Sequence, residues 1–175
     1  SVDLVGASIG AWRMATACLS ESVVAFERLE RDYIHQHYAL EAGKKLPTPE
    51  RVSADFGASL QAFFGAREQE LLAHSRYRLH ILTSRGRQLL ARECKLRTPL
   101  GYAGAFFTNF VRRKAMGFWL ERVVFSSPIG LAAQPLAELP FYTHAYRTRQ
   151  IGLSADNFKP ALQASCSIPF VLRAV

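Results

Sequence analysis

Hydrophobic and polar residues alternate along the chain with two periods, one typical of strands and one typical of helices. Residues 2–6 (VDLVG) form a short apolar run that ends in glycine, which predicts a buried strand. Residues 76–84 (RYRLHILTS) alternate between hydrophobic and polar positions, with a few exceptions, and this period of two predicts a second strand. Further strands are expected at residues 119–126, 150–154 and 169–175.

The segments between these strands have apolar residues at helical spacing. Residues 7–19 are rich in Ala, Met and Leu and predict a helix with one apolar face. Ser20 is expected to cap a second helix. Its buried face is expected to contain Val23, Val24, Phe26, Leu29, Tyr33 and Ile34.

Three further helices are predicted after residue 48. Pro49 is expected at the first position of a helix that ends at Gly65. A short helix is expected over residues 66–74, and Ser154 or Asp156 is expected to cap a helix that ends near Ala164. The helix after Pro49 is expected to bury Val52, Phe56, Leu60, Phe63 and Phe64.

Strands that alternate with helices indicate an α/β domain with a largely parallel sheet. The chain has 175 residues, which suits one domain better than two. Hydrophobic residues make up 49% of it and charged residues 21%, so a folded globular protein is expected rather than a disordered one. Because apolar runs stand at both ends, we expect residues 1–175 to be one partial domain, incomplete on both sides.

Charge and cysteine content limit the choice of partner. The net charge of +8 favours an anionic partner such as a lipid surface, although a basic surface without a dedicated partner fits equally well. Residues 100–111 are strongly apolar and precede Arg112-Arg113-Lys114, which indicates a core helix with a cationic end or an interfacial helix on anionic lipid. The scattered Cys18, Cys94 and Cys166 argue against a zinc site and a disulfide framework, and weakly favour a reducing compartment.

The most specific local motif is Gly6-Ala7-Ser8-Ile9-Gly10, a G-x-S-x-G pattern between the first predicted strand and the first predicted helix. Small neighbours permit a sharp turn there that exposes the Ser8 hydroxyl at the carboxyl end of the strand. The helix that follows directs its N-terminal N–H groups at that position. Ser8 is therefore either a nucleophile or an ordinary helix cap.

A base for Ser8 is not evident from the residues. No histidine lies in a loop near the end of the chain, where an α/β-hydrolase places its catalytic histidine. His80 lies inside a predicted strand, and we expect it to be a packing residue. The remaining candidates are His35, His37, His74, His144, Asp3, Asp32, Asp55 and Asp156, and no aspartate among them precedes glycine.

Residues 161–172 (ALQASCSIPFVL), taken with residues 6–15 (GASIGAWRMA), resemble the patatin-like phospholipase family. That family has a G-x-S-x-G elbow before an alanine-rich helix, a later A-S-x-x-x-P segment and then an Asp-Gly motif. The residues that match it are Gly6, Ser8, Gly10, Ala164, Ser165 and Pro169.

The resemblance implies a three-layer α/β/α fold and a Ser-Asp dyad with Ser8 as nucleophile, needing no metal or other cofactor. It implies hydrolysis of lipid or phospholipid esters, with peripheral contact to an anionic membrane and no nucleic acid partner. Ser165 is implied to be structural, shaping a turn before the aspartate. The protein is then expected in the cytoplasm or at a membrane surface.

Two features of the family have no match in the chain, namely the glycine-rich oxyanion loop and the Asp-Gly motif. The catalytic aspartate is therefore expected outside residues 1–175, and the isolated chain is expected to have little or no activity. Two alternatives remain open: a Ser-His α/β-hydrolase or acyltransferase, and a catalytically dead pseudohydrolase that binds lipid or a partner.

Overall fold

A computed structural model gives the fold of the protein and describes residues 1–35, 49–86, 120–128, 136, 138–144 and 147–167. Three sequence-based expectations fall outside the described residues. They concern the loop over residues 41–48, the apolar and basic segment 100–114, and the last strand at 169–175.

Among the described residues, four helices follow the first strand, and one helix follows the last strand. The elements in chain order are β1 (Val2–Gly6), α1 (Ile9–Ala17), α2 (Ser22–Ile34), α3 (Pro49–Phe64), α4 (Glu68–Leu72), β2 (Tyr77–Gly86), β3 (Leu120–Ser126), β4 (Thr148–Gly152) and α5 (Ala155–Cys166).

The four described strands form one sheet in the order β1-β2-β3-β4. The β1–β2 and β3–β4 pairs are parallel, whereas β2 and β3 are antiparallel. The domain is thus α/β with a mostly parallel open sheet. The antiparallel pair is a departure from the regular strand-helix alternation that the sequence predicts, and it means that β3 ends beside the start of β2, with Ser126 opposite His80.

One face of the sheet contributes to the main hydrophobic core. Leu79 and Ile81 of β2 have no exposed surface, and Leu4 and Phe125 on the neighbouring strands pack against the same cluster. Helices α1 to α5 supply the rest of the cluster, with Phe64 and Phe158 in edge-to-face contact at 5.1 Å between ring centroids. Aromatic and aliphatic side chains therefore hold these helices against one face of the sheet.

Helix α3 confirms its predicted start, end and buried face. It begins at Pro49 and ends at Phe64, followed by Gly65 in a left-handed conformation with φ of 53°. Glycine adopts this conformation without steric cost, and it ends helices for that reason. The side chains of Val52, Leu60, Phe63 and Phe64 are buried as predicted, and Phe56 is partly buried against them.

Helix α2 departs from the prediction at its cap and on its apolar face. The residue before the helix is Glu21, and Ser20 instead makes its hydrogen bonds, through its N–H and its hydroxyl, to the Glu70 carboxylate. Of the predicted buried side chains only Leu29 is buried, because the helix packs through the side that carries Ala25 and Leu29. Val23, Val24, Phe26, Tyr33 and Ile34 are exposed.

None of the helices in the described ranges has the length and apolar character needed to cross a lipid bilayer.

Candidate active site

Ser8 lies at a sharp turn between β1 and α1, at the carboxyl end of β1. Its φ and ψ angles are 55° and −134°, and it is the one described residue other than glycine with a positive φ. Residues with a Cβ rarely adopt this conformation, because the Cβ crowds the backbone. Ala7 and Ser8 are both exposed. The strained turn that the motif predicts is therefore present, and it presents the serine to solvent.

Ser8 does not behave as an ordinary helix cap. It occupies the N-cap position of α1, yet its side chain makes no capping hydrogen bond. Ser154, which caps α5, shows the ordinary arrangement in the same protein: its backbone is extended, with φ of −137°, and its hydroxyl accepts a hydrogen bond from the Asn157 N–H. The Ser8 hydroxyl is therefore not used to cap α1.

The two glycines of the motif differ in what the fold requires of them. A Cβ placed on Gly6 would lie 2.6 Å from both Cα and N of Ala11 and 2.7 Å from the Gly10 carbonyl carbon. These are backbone atoms of α1, so they cannot move aside without moving the helix. A Cβ on Gly10 would meet no atom within 4 Å. Gly6 thus permits β1 and α1 to approach closely, whereas Gly10 borders open space next to the turn.

The backbone amides around Ser8 divide into bonded and unbonded groups. The Gly10 N–H donates to the Ala7 carbonyl oxygen at 2.9 Å, and the Ser8 N–H donates to the Ser165 hydroxyl oxygen at 2.8 Å. Within the described residues, no acceptor is bonded to the Ile9 N–H. The amide that follows a nucleophile in this motif is the usual oxyanion donor. Ile9 thus offers one N–H group, at the positive end of the α1 dipole, to an anion at the turn.

The last turn of α5 contributes two side chains that interact with Ser8. Ser165 Oγ accepts from the Ser8 N–H and donates to the Leu82 carbonyl oxygen at 2.7 Å. Burial raises the pKa of the Cys166 thiol, and its hydrogen bond with the Ser8 side chain offsets part of that rise. Cys166 is therefore a neutral neighbour of the serine hydroxyl rather than a base. Neither contact is visible in the sequence, where Ser165 and Cys166 stand more than 150 residues away from Ser8.

No carboxylate or imidazole among the described residues is hydrogen-bonded to the Ser8 hydroxyl. His80, the histidine that the sequence places inside a strand, has both ring nitrogens occupied elsewhere. Its Nδ1 lies 2.9 Å from Ser126 Oγ and its Nε2 lies 3.0 Å from Asp3 Oδ1. His80 is therefore not arranged as a base for Ser8.

The Asp3, His80 and Ser126 side chains are the residue types of a catalytic triad, but their surroundings differ from those of one. Ser126 and His80 have no exposed surface. Gln150 Nε2 donates to Ser126 Oγ at 3.0 Å, and Arg78 Nη2 donates to Asp3 Oδ2 at 3.0 Å. A nucleophile must reach its substrate, and this serine is enclosed. The group is a buried polar network, which supports the packing role predicted for His80.

Comparisons with protein-family models, with curated proteins and with solved structures gave no match for this chain. The structure brings Gly6, Ser8 and Gly10 together at the β1–α1 turn, as the motif predicts, and adds Ser165 beside them. Pro169 lies outside the described residues.

Proposed function

We propose that Ser8 is the nucleophile of a serine-dependent lipid acyl hydrolase of the patatin-like type. The observation that carries this proposal is the backbone of Ser8, which has a positive φ at an exposed strand-to-helix turn and lacks the side-chain bond of a cap. Such strain persists only where the surrounding structure enforces it, and it is concentrated at functional sites. The Ile9 amide, which has no acceptor among the described residues, adds a donor for the charge that acyl transfer develops.

The proposed reaction has two steps. In the first, Ser8 Oγ attacks the acyl carbonyl carbon while its proton passes to a general base, which the resemblance identifies as an aspartate outside residues 1–175. The carbonyl oxygen becomes an oxyanion that accepts a hydrogen bond from the Ile9 N–H. The tetrahedral intermediate then expels the alcohol, which takes the proton. In the second step, water attacks the acyl-serine, releases the fatty acid and restores the Ser8 hydroxyl.

The substrate class and the finer fold belong to the same proposal. A lipid or phospholipid ester is supported by the match to the A-S-x-x-x-P segment at Ala164 and Ser165 and by the net charge of +8, which favours anionic lipid surfaces. The proposed three-layer α/β/α arrangement needs helices on both faces of the sheet, and the described helices supply one of these two layers.

Labelling with a fluorophosphonate tests the nucleophile directly. In the full-length protein the probe is expected to attach to Ser8, located by peptide mass spectrometry, and Ser8→Ala is expected to abolish labelling and esterase activity. Ser59→Ala is a matched control, because Ser59 is an exposed serine whose hydroxyl donates to the Asp55 carbonyl oxygen of its own helix. A folded wild-type protein that neither reacts at Ser8 nor cleaves a lipid ester would instead support the pseudohydrolase.

A further inference from the structure

Ser165 connects three parts of the fold at the candidate nucleophile. Its hydroxyl oxygen accepts a hydrogen bond from the Ser8 N–H at 2.8 Å, and its proton is donated to the Leu82 carbonyl oxygen at 2.7 Å. Both distances are those of well-formed hydrogen bonds. The β1–α1 turn, strand β2 and the last turn of α5 are therefore joined at one oxygen atom.

The position of this hydroxyl follows from where β1 leaves the sheet. The pairing of β1 with β2 ends at Gly6 opposite Ile81, whereas β2 continues to Gly86. The Leu79 carbonyl group points to the side of β2 on which β3 lies, because its oxygen accepts a hydrogen bond from the Ser127 N–H just beyond β3. Backbone groups of successive residues in a strand point to alternate neighbours, so Leu82, three residues later, faces the side that β1 has vacated. Ser165 Oγ fills that gap and satisfies the Leu82 carbonyl.

The same bond fixes the peptide group that precedes Ser8. A positive φ at a residue with a Cβ is maintained only when neighbouring contacts over-determine it. The Ser8 N–H belongs to the Ala7–Ser8 peptide, whose orientation sets φ of Ser8 and hence the direction of its Cβ and hydroxyl. Ser165 is the described side chain that holds this peptide. Cys166, the next residue, contacts the Ser8 hydroxyl from the same turn of α5.

We propose that Ser165 is a positioning residue for the Ser8 nucleophile: it does not touch substrate but holds the Ser8 backbone in its reactive conformation. This inference rests on the proposed function, because a reactive conformation has meaning only if Ser8 reacts. It extends the structural role that the sequence comparison implies for Ser165. It also means that the Ser8 amide is occupied, which leaves the Ile9 amide as the oxyanion donor of this turn.

The test compares Ser165→Ala with Ser165→Thr, which retains the hydroxyl, and with the control Ser59→Ala. Saturation kinetics of fluorophosphonate labelling separate probe binding from bond formation at Ser8. Ser165→Ala is expected to lower the maximal labelling rate by about 10- to 100-fold, a range typical of a misplaced reacting group, and to leave the half-saturating probe concentration within about twofold. Ser165→Thr is expected to recover most of the rate, and Ser59→Ala is expected to match the wild type.

A second measurement does not depend on reactivity. Amide hydrogen exchange at Ser8, followed by NMR, is expected to be slow in the wild type and in Ser165→Thr, and at least about fivefold faster in Ser165→Ala, as the loss of one hydrogen bond predicts. If Ser165→Ala does not fold, Ser165→Cys replaces it, because a thiol fills similar space and is a weak hydrogen-bonding group.

The outcomes separate the two proposals. All these measurements use the full-length protein, as for the labelling of Ser8 above. A full-length wild-type protein that is not labelled at Ser8 refutes the proposed function, and the exchange experiment still shows whether Ser165 holds the Ser8 peptide. Labelling of the wild type, together with equal labelling and equal Ser8 exchange in a folded Ser165→Ala or Ser165→Cys protein, overturns the positioning role alone.

Discussion

At the scale of single residues, Ser8 shows how a local conformational cost identifies a candidate site. A residue held at φ of 55° and ψ of −134° carries strain of about 1–3 kcal/mol, which glycine would largely avoid. The protein gains no capping bond in return, since the Ser8 side chain makes none. A serine kept at such a position is explained by its hydroxyl rather than by its contribution to folding.

We expect Ser8→Gly to stabilise the protein while it removes the hydroxyl of the proposed nucleophile. We expect the free energy of unfolding to rise by about 1 kcal/mol, which corresponds to an increase in Tm of about 2–4 °C for a chain of this size. Ser154→Gly is the matched control, and it is expected to lower Tm because Ser154 makes a capping bond at an ordinary φ of −137°. Thermal unfolding measures both, and a lower Tm for Ser8→Gly would show that the turn is not strained.

At the scale of elements, the contact between β1 and α1 depends on Gly6 and not on Gly10. We expect Gly6→Ala to destabilise the protein by about 3 kcal/mol, the upper end of the range for overpacking, because the new methyl group meets backbone atoms at 2.6 Å. Gly10→Ala is expected to be neutral or stabilising by up to about 1 kcal/mol, since alanine favours the helix and the space around it is open.

Urea unfolding curves of the two variants provide this comparison. Equal destabilisation by Gly6→Ala and Gly10→Ala would contradict the steric difference. Fluorophosphonate labelling adds a second readout. If Gly10→Ala keeps its stability but loses labelling, the open space beside Gly10 is where the acyl group or probe binds.

The sequence predicts elements well where their ends carry specific residues. Pro49 and Gly65 fix the ends of α3, and the alternation over residues 76–84 correctly predicts strand β2. The prediction of the buried face of α2 is wrong in part, because periodicity reveals an apolar face but not whether another element covers it. The antiparallel pairing of β2 with β3 is missed because the direction of a strand is not encoded in its period.

The candidate site was also predictable only in part. Its centre is local, so the motif around Ser8 predicts the turn. Its support is not local, because Ser165 reaches Ser8 only after the chain has folded, and no spacing rule connects them.

At the scale of the whole molecule, one buried polar network links all four strands. The ring of His80 in β2 lies 3.0 Å through Nε2 from Asp3 Oδ1 of β1 and 2.9 Å through Nδ1 from Ser126 Oγ of β3, and Ser126 Oγ accepts from Gln150 Nε2 of β4. Arg78 of β2 completes the network by donating to the Asp3 carboxylate. These contacts join side chains of neighbouring strands, so the network supports the register of the sheet.

Asp3 is the acidic end of this network, and its titration predicts acid sensitivity. Burial raises the pKa of Asp3, but the hydrogen bonds from His80 and Arg78 outweigh it, so the pKa lies below its ordinary value of 3.8. A carboxylate with a lowered pKa stabilises the folded state fully above the pKa of the unfolded chain. That stabilisation is lost as the pH falls through the lower pKa that Asp3 has in the folded state.

We therefore expect Asp3→Asn to lower the free energy of unfolding at pH 7 by about 1–3 kcal/mol, because the charge-assisted bonds from His80 and Arg78 weaken. Asp32→Asn makes the same chemical change in an exposed ion pair with Arg28 and is expected to cost less than about 0.5 kcal/mol. Unfolding curves between pH 7 and pH 3 measure both variants. The deficit of Asp3→Asn should shrink as the pH falls below about 4, since Asp3 of the unfolded wild-type chain then begins to take up a proton, which weakens the stabilisation by its charge in the folded state. A deficit that is constant over this range, or one no larger than that of Asp32→Asn, would mean that the Asp3 charge does not stabilise the network.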